Sequence, residues 1–450
     1  MKSKHSAKLV TGLLVLVLLL SGCAGQKLQG NDPENTGGTT GSQTAQNETG
    51  NNNADVDTAN SSAENGDNED DASGTDTGTS DTDGNSDGNE TDPDGSTTSK
   101  DPSEASETGD DSSVRVKALY LTGWTVGSSK KVEHYVELAN TTEINSYVVD
   151  IKDDDGYVGY ESQVPEVQAN GTWKKKYNPD NMLKAFHDND IYVIGRIVVY
   201  KDPVYSLKRP DLAIKHVNGG LWKGNKQTWL NPYNKGNWDY TISIAKEAVA
   251  KGFDEIQFDY IRFPGGGGGT MDFAGIEQER YEAINEFLAY AKEQITEVPI
   301  SADVFGIILE SPKDTERIGQ YLELVGKDID YISPMVYPSH YALGQIVNKV
   351  KFDVPDFDPY GVVYNSLAKC KDRLAQAGEY KAGVRPYLQD FTASWLVSKD
   401  KKTKYYQAYG AEQVRQQIQA VYDAGYEEWI LWDASNTYHE DGLLKEEKAG

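Results

Sequence analysis

Cysteine is almost absent from this chain: Cys23 and Cys370 are its two cysteines in 450 residues. That excludes a disulfide framework, and if Cys23 is committed elsewhere no intrachain bridge remains. Histidine is sparse too, with six residues and no ligand spacing, so no catalytic zinc is expected. The glycine run Gly265 to Gly269 lacks the Lys-Ser/Thr ending of a phosphate-binding loop, and no glycine fingerprint follows the first strand pattern. Neither a nucleotide nor any other cofactor is therefore expected. Lys and Arg number 44 against 71 Asp and Glu, a net charge of −27 that disfavours nucleic acid as a partner. Long apolar runs are missing apart from one near the N-terminus.

That run, Leu9 to Leu20, follows Lys2, Lys4 and Lys8 and is too short for a comfortable membrane span, which fits a secretory signal over residues 1–22. Its ending, Leu20-Ser21-Gly22-Cys23, resembles the lipobox of bacterial lipoproteins, in which the Cys is lipidated and becomes the new N-terminus. The resemblance implies lipidation at Cys23 and a protein anchored on the extracytoplasmic face of the cell membrane. From Ala24 to Ser113 there are 22 Asp and Glu against 2 Lys and Arg, embedded in Gly, Asn, Ser and Thr with almost no large apolar side chain. Such a segment cannot offset its chain entropy by burial, so residues 23–113 are expected to be a disordered acidic tether.

At Val114 the composition changes, and residues 114–440 alternate strand and helix patterns without another low-complexity break. Strand patterns occur at Lys117 to Trp124, Ile144 to Lys152, Ile191 to Tyr200, Gly252 to Pro264, Pro299 to Phe305, Asp330 to Tyr337, Ala382 to Gln389 and Glu428 to Asp433. Between them lie helical patterns at Lys130 to Asn140, Pro179 to His187, Tyr240 to Lys251, Phe273 to Ile295, Thr315 to Val325, Ser366 to Ala377 and Gln413 to Ala424. Eight strands separated by helices predict an α/β protein of the (β/α)8 TIM-barrel class, with an open doubly wound sheet as the alternative. The closing helix after the eighth strand is expected to be short or absent, because Asp441 to Gly450 is brief and polar.

The fourth strand carries the most chemistry. In period-two alternation Ile256, Phe258 and Tyr260 share one face while Glu255, Gln257 and Asp259 share the other, so a barrel would turn a polar row inward and end it on Asp259 at the active-site mouth. Other strand ends repeat the pattern: Asp150 and Lys152, Arg196, Asp303, Tyr337, Arg385 and Gln389, and Asp433. Converging carboxylates are what glycoside hydrolysis needs, one to protonate the leaving oxygen and one to attack or to activate water. Asp259 and Asp303 are the catalytic candidates, with Asp150 and Asp433 in reserve. The competing reading is ion pairing at the rim, Asp259 with Arg262 and Asp150 with Arg196. The long loop from Lys201 to Asp239 holds Tyr205, Trp222, Trp229, Tyr233 and Trp238, and with Trp124 and Trp432 these rings are expected to line a sugar-binding surface, with packing of the loop onto the barrel as the alternative for about half of them. Asp153-Asp154-Asp155-Gly156 lacks the spacing of a calcium loop and reads as a solvated turn. Expected substrate contacts are thus Asp150, Lys152, Arg196, Trp222, Trp229, Arg262, Tyr337, Gln389, Trp432 and Asp433.

Eight segments, "KALYLTGW" from 117, "VVDIKDDDG" from 148, "GRIVVYKD" from 195, "FDEIQFDYIRFP" from 253, "SADVFG" from 301, "ISPMVYPSHY" from 332, "VRPYLQDF" from 384 and "LWDASNTY" from 431, carry a likeness. Val116 to about Tyr438 resembles a glycoside hydrolase domain family of exported bacterial proteins, and "FDYIRFP" is also similar to a neighbouring group of glycosidase-like lipoproteins. The resemblance implies a TIM barrel and glycosidase chemistry. The fourth strand is similar to chitinase strands as well, but there the final acid of the motif falls at Ile261, which cannot donate a proton, so substrate-assisted chitinase chemistry is not expected. Together these readings lead to a monomeric, lipid-anchored glycoside hydrolase acting on a polysaccharide; a glycan-binding scaffold that has lost its chemistry is the alternative.

Overall fold

The computed structural model describes residues 114–266 and 269–446. The signal, the lipidation at Cys23 and the tether expected over residues 1–113 lie outside the described residues. Eight parallel staves close on themselves: β1 (Lys117–Leu121), β2 (Ser146–Lys152), β3 (Tyr192–Val198), β4 (Glu255–Asp259), β5 (Ile300–Phe305), β6 (Tyr331–Val336), β7 in two pieces (Gly383–Val384 and Tyr387–Gln389) and β8 (Trp429–Trp432). Pairing of Lys117 with Trp429 joins the last stave to the first, so the fold is a TIM barrel and not an open sheet. Pro386 explains the break in β7, because it has no N–H to give to the ladder.

Ten α-helical segments occur among the described residues; besides three short ones at Gly123–Val126, Pro165–Asn170 and Tyr205–Lys208 they are α1 (Ser129–Thr141), α2 (Pro179–His187), α3 (Trp238–Lys251), α4 (Arg280–Gln294), α5 (Leu322–Val325), α6 (Pro359–Gln376) and α7 (Ala411–Asp423). Asn178 caps α2 by accepting the Asn181 N–H at 3.0 Å, with Pro179 at the first helical position. Two expected helices are shorter than their periodicity suggested. α4 starts at Arg280 because Glu279 and Glu282 form a capping box there, which leaves Phe273 to pack in a loop against Tyr233 and Phe263. The Thr315 to Val325 pattern becomes a turn ahead of α5, since the Asp314 carboxylate takes the backbone N–H groups of Ile318 and Gly319 and competes with helical pairing. Among the described residues no helix follows β8; a short 3₁₀ turn at Glu440–Gly442 ends the fold.

Alternation along the staves divides the apolar residues into two buried groups. Leu119, Val149, Val193, Ile256, Phe258, Ala302, Ile332 and Leu431 face the helices and belong to the larger core, whereas Ala118, Tyr120, Val148, Ile194, Tyr387 and Ile430 fill the barrel interior. Gly195 leaves room on the outer face of β3 for the Ile151 side chain of β2, because a Cβ there would meet Ile151 Cδ1 at 2.2 Å. Cys370 is buried in α6, and burial pushes its thiol up to about 12, so it stays a packing residue.

The inner polar row of β4 is stacked in layers. At the bottom, Glu255 accepts from Arg385 at 2.9 and 3.1 Å and from the Ser301 hydroxyl at 2.5 Å. Above it, Gln257 accepts from the Tyr387 hydroxyl at 2.6 Å and donates to Ser333 Oγ at 3.2 Å. Asp259 is the top layer. Arg385→Leu should therefore lower unfolding stability by about 3–5 kcal/mol, because Glu255 would be left buried without its counter-charge. The double variant with Glu255→Leu should recover much of that loss in chemical denaturation; an Arg385→Leu chain as stable as the native one would show that the pair contributes nothing.

Candidate active site

Ladder register determines which strand-end residues meet at the mouth. Asp150 is paired with Arg196 across β2 and β3, Val198 with Asp259 across β3 and β4, and Asp303 with Ser333 across β5 and β6. Phe258 opposite Ala302 places Asp259 and Asp303 side by side at the next step, both on the inner face. β4 then ends abruptly, because Tyr260 adopts φ +48°, a left-handed conformation that a bulky residue adopts only when its surroundings force it. That bend sits directly beside Asp259.

Arg196 is the hub of the site. Its Nε and Nη2 donate to Asp259 Oδ2 at 2.9 and 2.6 Å, its Nη1 to Asp150 Oδ1 at 2.7 Å, and its Nη2 also to Asp154 Oδ1 at 3.2 Å. The Tyr120 hydroxyl donates to the other Asp150 oxygen at 2.7 Å. Burial disfavours the guanidinium charge, but Asp259, Asp154 and Asp150 outweigh it and hold Arg196 charged. Burial dominates at Asp150 and raises its carboxyl despite Arg196. Asp259 accepts two hydrogen bonds from this guanidinium, a charge-assisted pair.

Asp303 is different. It is 1% exposed, its Oδ1 has no hydrogen-bond partner, and burial followed by the charge of Asp259 raises its carboxyl well above the ordinary range. The site therefore sets a buried carboxyl group that its surroundings raise, Asp303, next to a carboxyl group that accepts from a guanidinium, Asp259. Aromatic rings wall the mouth: Trp432 lies 6.3 Å from Tyr120, 5.7 Å from Tyr337 and 5.4 Å from Phe391 between ring centres.

Of the expected site residues, Asp150, Arg196, Asp259, Asp303, Tyr337 and Trp432 come together. Six others are occupied elsewhere, which corrects the expectation that they contact substrate. A bulge in β2 between Asp150 and Lys152 re-aims Lys152, whose ammonium is buried against Asp202 at 2.9 Å and the Val198 carbonyl at 2.7 Å. Arg262 is 2% exposed, and its guanidinium stacks on the rings of Phe305, Trp229 and Tyr260. Trp222 and Trp229 are buried; Trp222 donates to Thr270 Oγ1 at 3.0 Å and Trp229 meets Tyr260 edge-on, so both pack the loop instead of presenting a face to a ligand. Tyr205 stacks on Tyr240, Tyr233 packs against Phe263, and Trp238 packs against Phe287. Gln389 accepts from the Ser339 N–H and donates to Asp356 and the Phe391 carbonyl. The Asp433 carboxylate holds the turn that follows it, accepting from Ser435 and from the Thr437 N–H. Trp124 stays exposed at the mouth with the Lys176 ammonium over its ring.

Asp153 pairs with Lys176 and Asp154 with Arg196. Among the described residues no group of three His, Cys, Asp or Glu side chains could hold a metal ion. Sequence reasoning passed over Tyr120 and Phe391 and read Asp154 as part of a solvated turn, whereas it pairs with Arg196. Tyr120 could have been found by extending the inward alternation of β1 from Ala118, whereas Phe391 lies past the end of its strand, where periodicity carries no signal.

The profile of the family described as "Putative glycosyl hydrolase domain" matches residues 118–438. The chain belongs to this family. A hypothetical protein from Ruminiclostridium thermocellum is 65% identical over 41% of this chain and 97% of its own, with a TM-score of 0.40. The PgaB (BpsB) glycoside hydrolase domain from Bordetella bronchiseptica, at 10% identity, superposes over 71% of this chain and 94% of its own with a TM-score of 0.52, a likeness of fold. No curated protein matches the chain. Family and barrel together support a glycoside hydrolase-like function for this domain.

Proposed function

We propose that this protein is a lipid-anchored, extracytoplasmic glycoside hydrolase that cleaves a polysaccharide of the cell envelope or its surroundings, with Asp303 as general acid and Asp259 as nucleophile. The observation that carries the reading is the pair itself: a buried Asp303, its Oδ1 without a hydrogen-bond partner, beside an Asp259 held by Arg196. In the first step the Asp303 proton goes to the leaving glycosidic oxygen while an Asp259 oxygen bonds to the anomeric carbon. In the second, Asp303 takes a proton from the water that displaces Asp259, restoring both groups. With Asp259 as nucleophile the reaction passes through two displacements at the anomeric carbon, so it should retain anomeric configuration. The test is reducing-end release from a panel of polysaccharides, with the first-formed anomer read by NMR. Release of the inverted anomer would remove Asp259 as nucleophile, and no release from any polysaccharide would remove the hydrolase reading.

The anchor is tested separately. Two acyl chains, at about 0.8 kcal/mol per buried CH₂, hold a protein on a membrane where one does not. Cys23→Ala should send the protein to the medium or leave an unprocessed precursor. A mature, membrane-bound, detergent-extractable Cys23→Ala protein would rule out lipidation there.

A further inference from the structure

The aromatic wall does not stop at the acids. Beyond Trp432, Phe391 stacks on Trp395 with ring centres 5.8 Å apart and planes 18° from parallel. Trp395 is 53% exposed, a large apolar ring facing water at the outer end of a chain of rings that begins beside Asp150 at Tyr120. It is braced from behind, since His340 meets it edge-on at 6.4 Å and also packs against Phe391. Burial pushes the His340 imidazole down to about 4, so this wall carries no charge near neutral pH. The loop around Trp395 is pinned by backbone hydrogen bonds, Leu396 to Ala393 at 3.0 Å, Val397 to Trp395 at 2.9 Å and Tyr405 to Leu396 at 2.8 Å. An aromatic ring that is exposed yet already held in place loses little freedom on binding.

We infer that Trp395 is a remote subsite for an extended glycan chain. The three ring-to-ring steps from Tyr120 through Trp432 and Phe391 to Trp395 measure 6.3, 5.4 and 5.8 Å, so Trp395 stands three rings away from the one beside Asp150. Sugar rings stack their apolar C–H faces on aromatic rings, so a polymer lying across the mouth would place one unit at the acids and a later unit on Trp395. The inference rests on reading the mouth as a glycosidase site, and it makes the substrate a polymer bound along its length instead of a short oligosaccharide.

The test uses full-length protein carrying Asp303→Asn to block turnover, titrated with disaccharides and hexasaccharides of cellulose, chitin and amylose while tryptophan fluorescence is followed. At least one hexasaccharide should bind about tenfold more tightly than its disaccharide. Adding Trp395→Ala should abolish that gain and leave disaccharide binding unchanged, and Trp395→Phe should keep most of it. A gain untouched by Trp395→Ala, equal affinity for both lengths, or no binding of any hexasaccharide overturns the subsite. Hydrolysis of the same sugars by the native protein is scored independently. A Trp395-dependent gain without hydrolysis upholds the subsite and sinks the hydrolase reading; hydrolysis without a gain does the reverse.

Discussion

Asp303→Asn is expected to lower turnover by about 10²–10⁴-fold, the usual contribution of a positioned general acid, and to make the folded chain more stable at neutral pH. Asn has nearly the same shape but no proton to give to the leaving oxygen. A substrate whose leaving group departs without protonation should therefore be cleaved by the variant far better than a natural glycoside, which separates loss of the acid from loss of the site. The gain in stability follows from the raised Asp303 carboxyl. Below the ordinary carboxyl range the group is protonated in both the folded and the unfolded chain, and its effect is full. Above that range the unfolded chain releases the proton while the folded chain keeps it, so native stability falls with rising pH until Asp303 itself titrates. Asn carries no such proton. The difference in unfolding free energy between variant and native protein should thus grow with pH across this window; a variant less stable than the native chain at every pH would contradict the burial argument.

Asp259→Asn should cost more, about 10⁴–10⁶-fold in turnover, the scale seen when a nucleophile is removed from a coupled set. Activated substrates should not rescue it, because the bond to the anomeric carbon cannot form. Two further readouts are specific to this geometry. Removing the Asp259 charge removes one cause of the raised Asp303 carboxyl, so the Asp303 titration, followed by NMR, should move down toward the ordinary range. Arg196 would lose the Asp259 charge, with only a neutral amide oxygen left to accept from it there, while keeping Asp150 and Asp154, so the fold should survive with reduced stability. An Asp303 titration that stays in place would mean that the two carboxyl groups do not sense each other, and the assignment of acid and nucleophile would fail with it.

Local periodicity was legible from the residues alone. Alternation along 253–259 placed Ile256 and Phe258 outward and Glu255, Gln257 and Asp259 inward before any neighbour was known, because in a strand the side-chain period depends on the backbone alone. The same reasoning gave the order of eight staves and put Asp303 at the rim. Tertiary structure decided everything that depends on partners distant in the chain. Asp150 and Asp259 share one guanidinium across three strands, so the rim ion pair expected between Asp150 and Arg196 and the catalytic candidate Asp259 turned out to belong to a single cluster. A one-residue bulge turned Lys152 toward Asp202, which no period-two count can register. The loop between β3 and α3 spent its tryptophans on its own packing, while Phe391 and Trp395, in a loop after β7, formed the exposed wall. Loop aromatics have no period to read; whether a ring is buried or presented depends on which rings lie against it, and that is settled only when the chain closes.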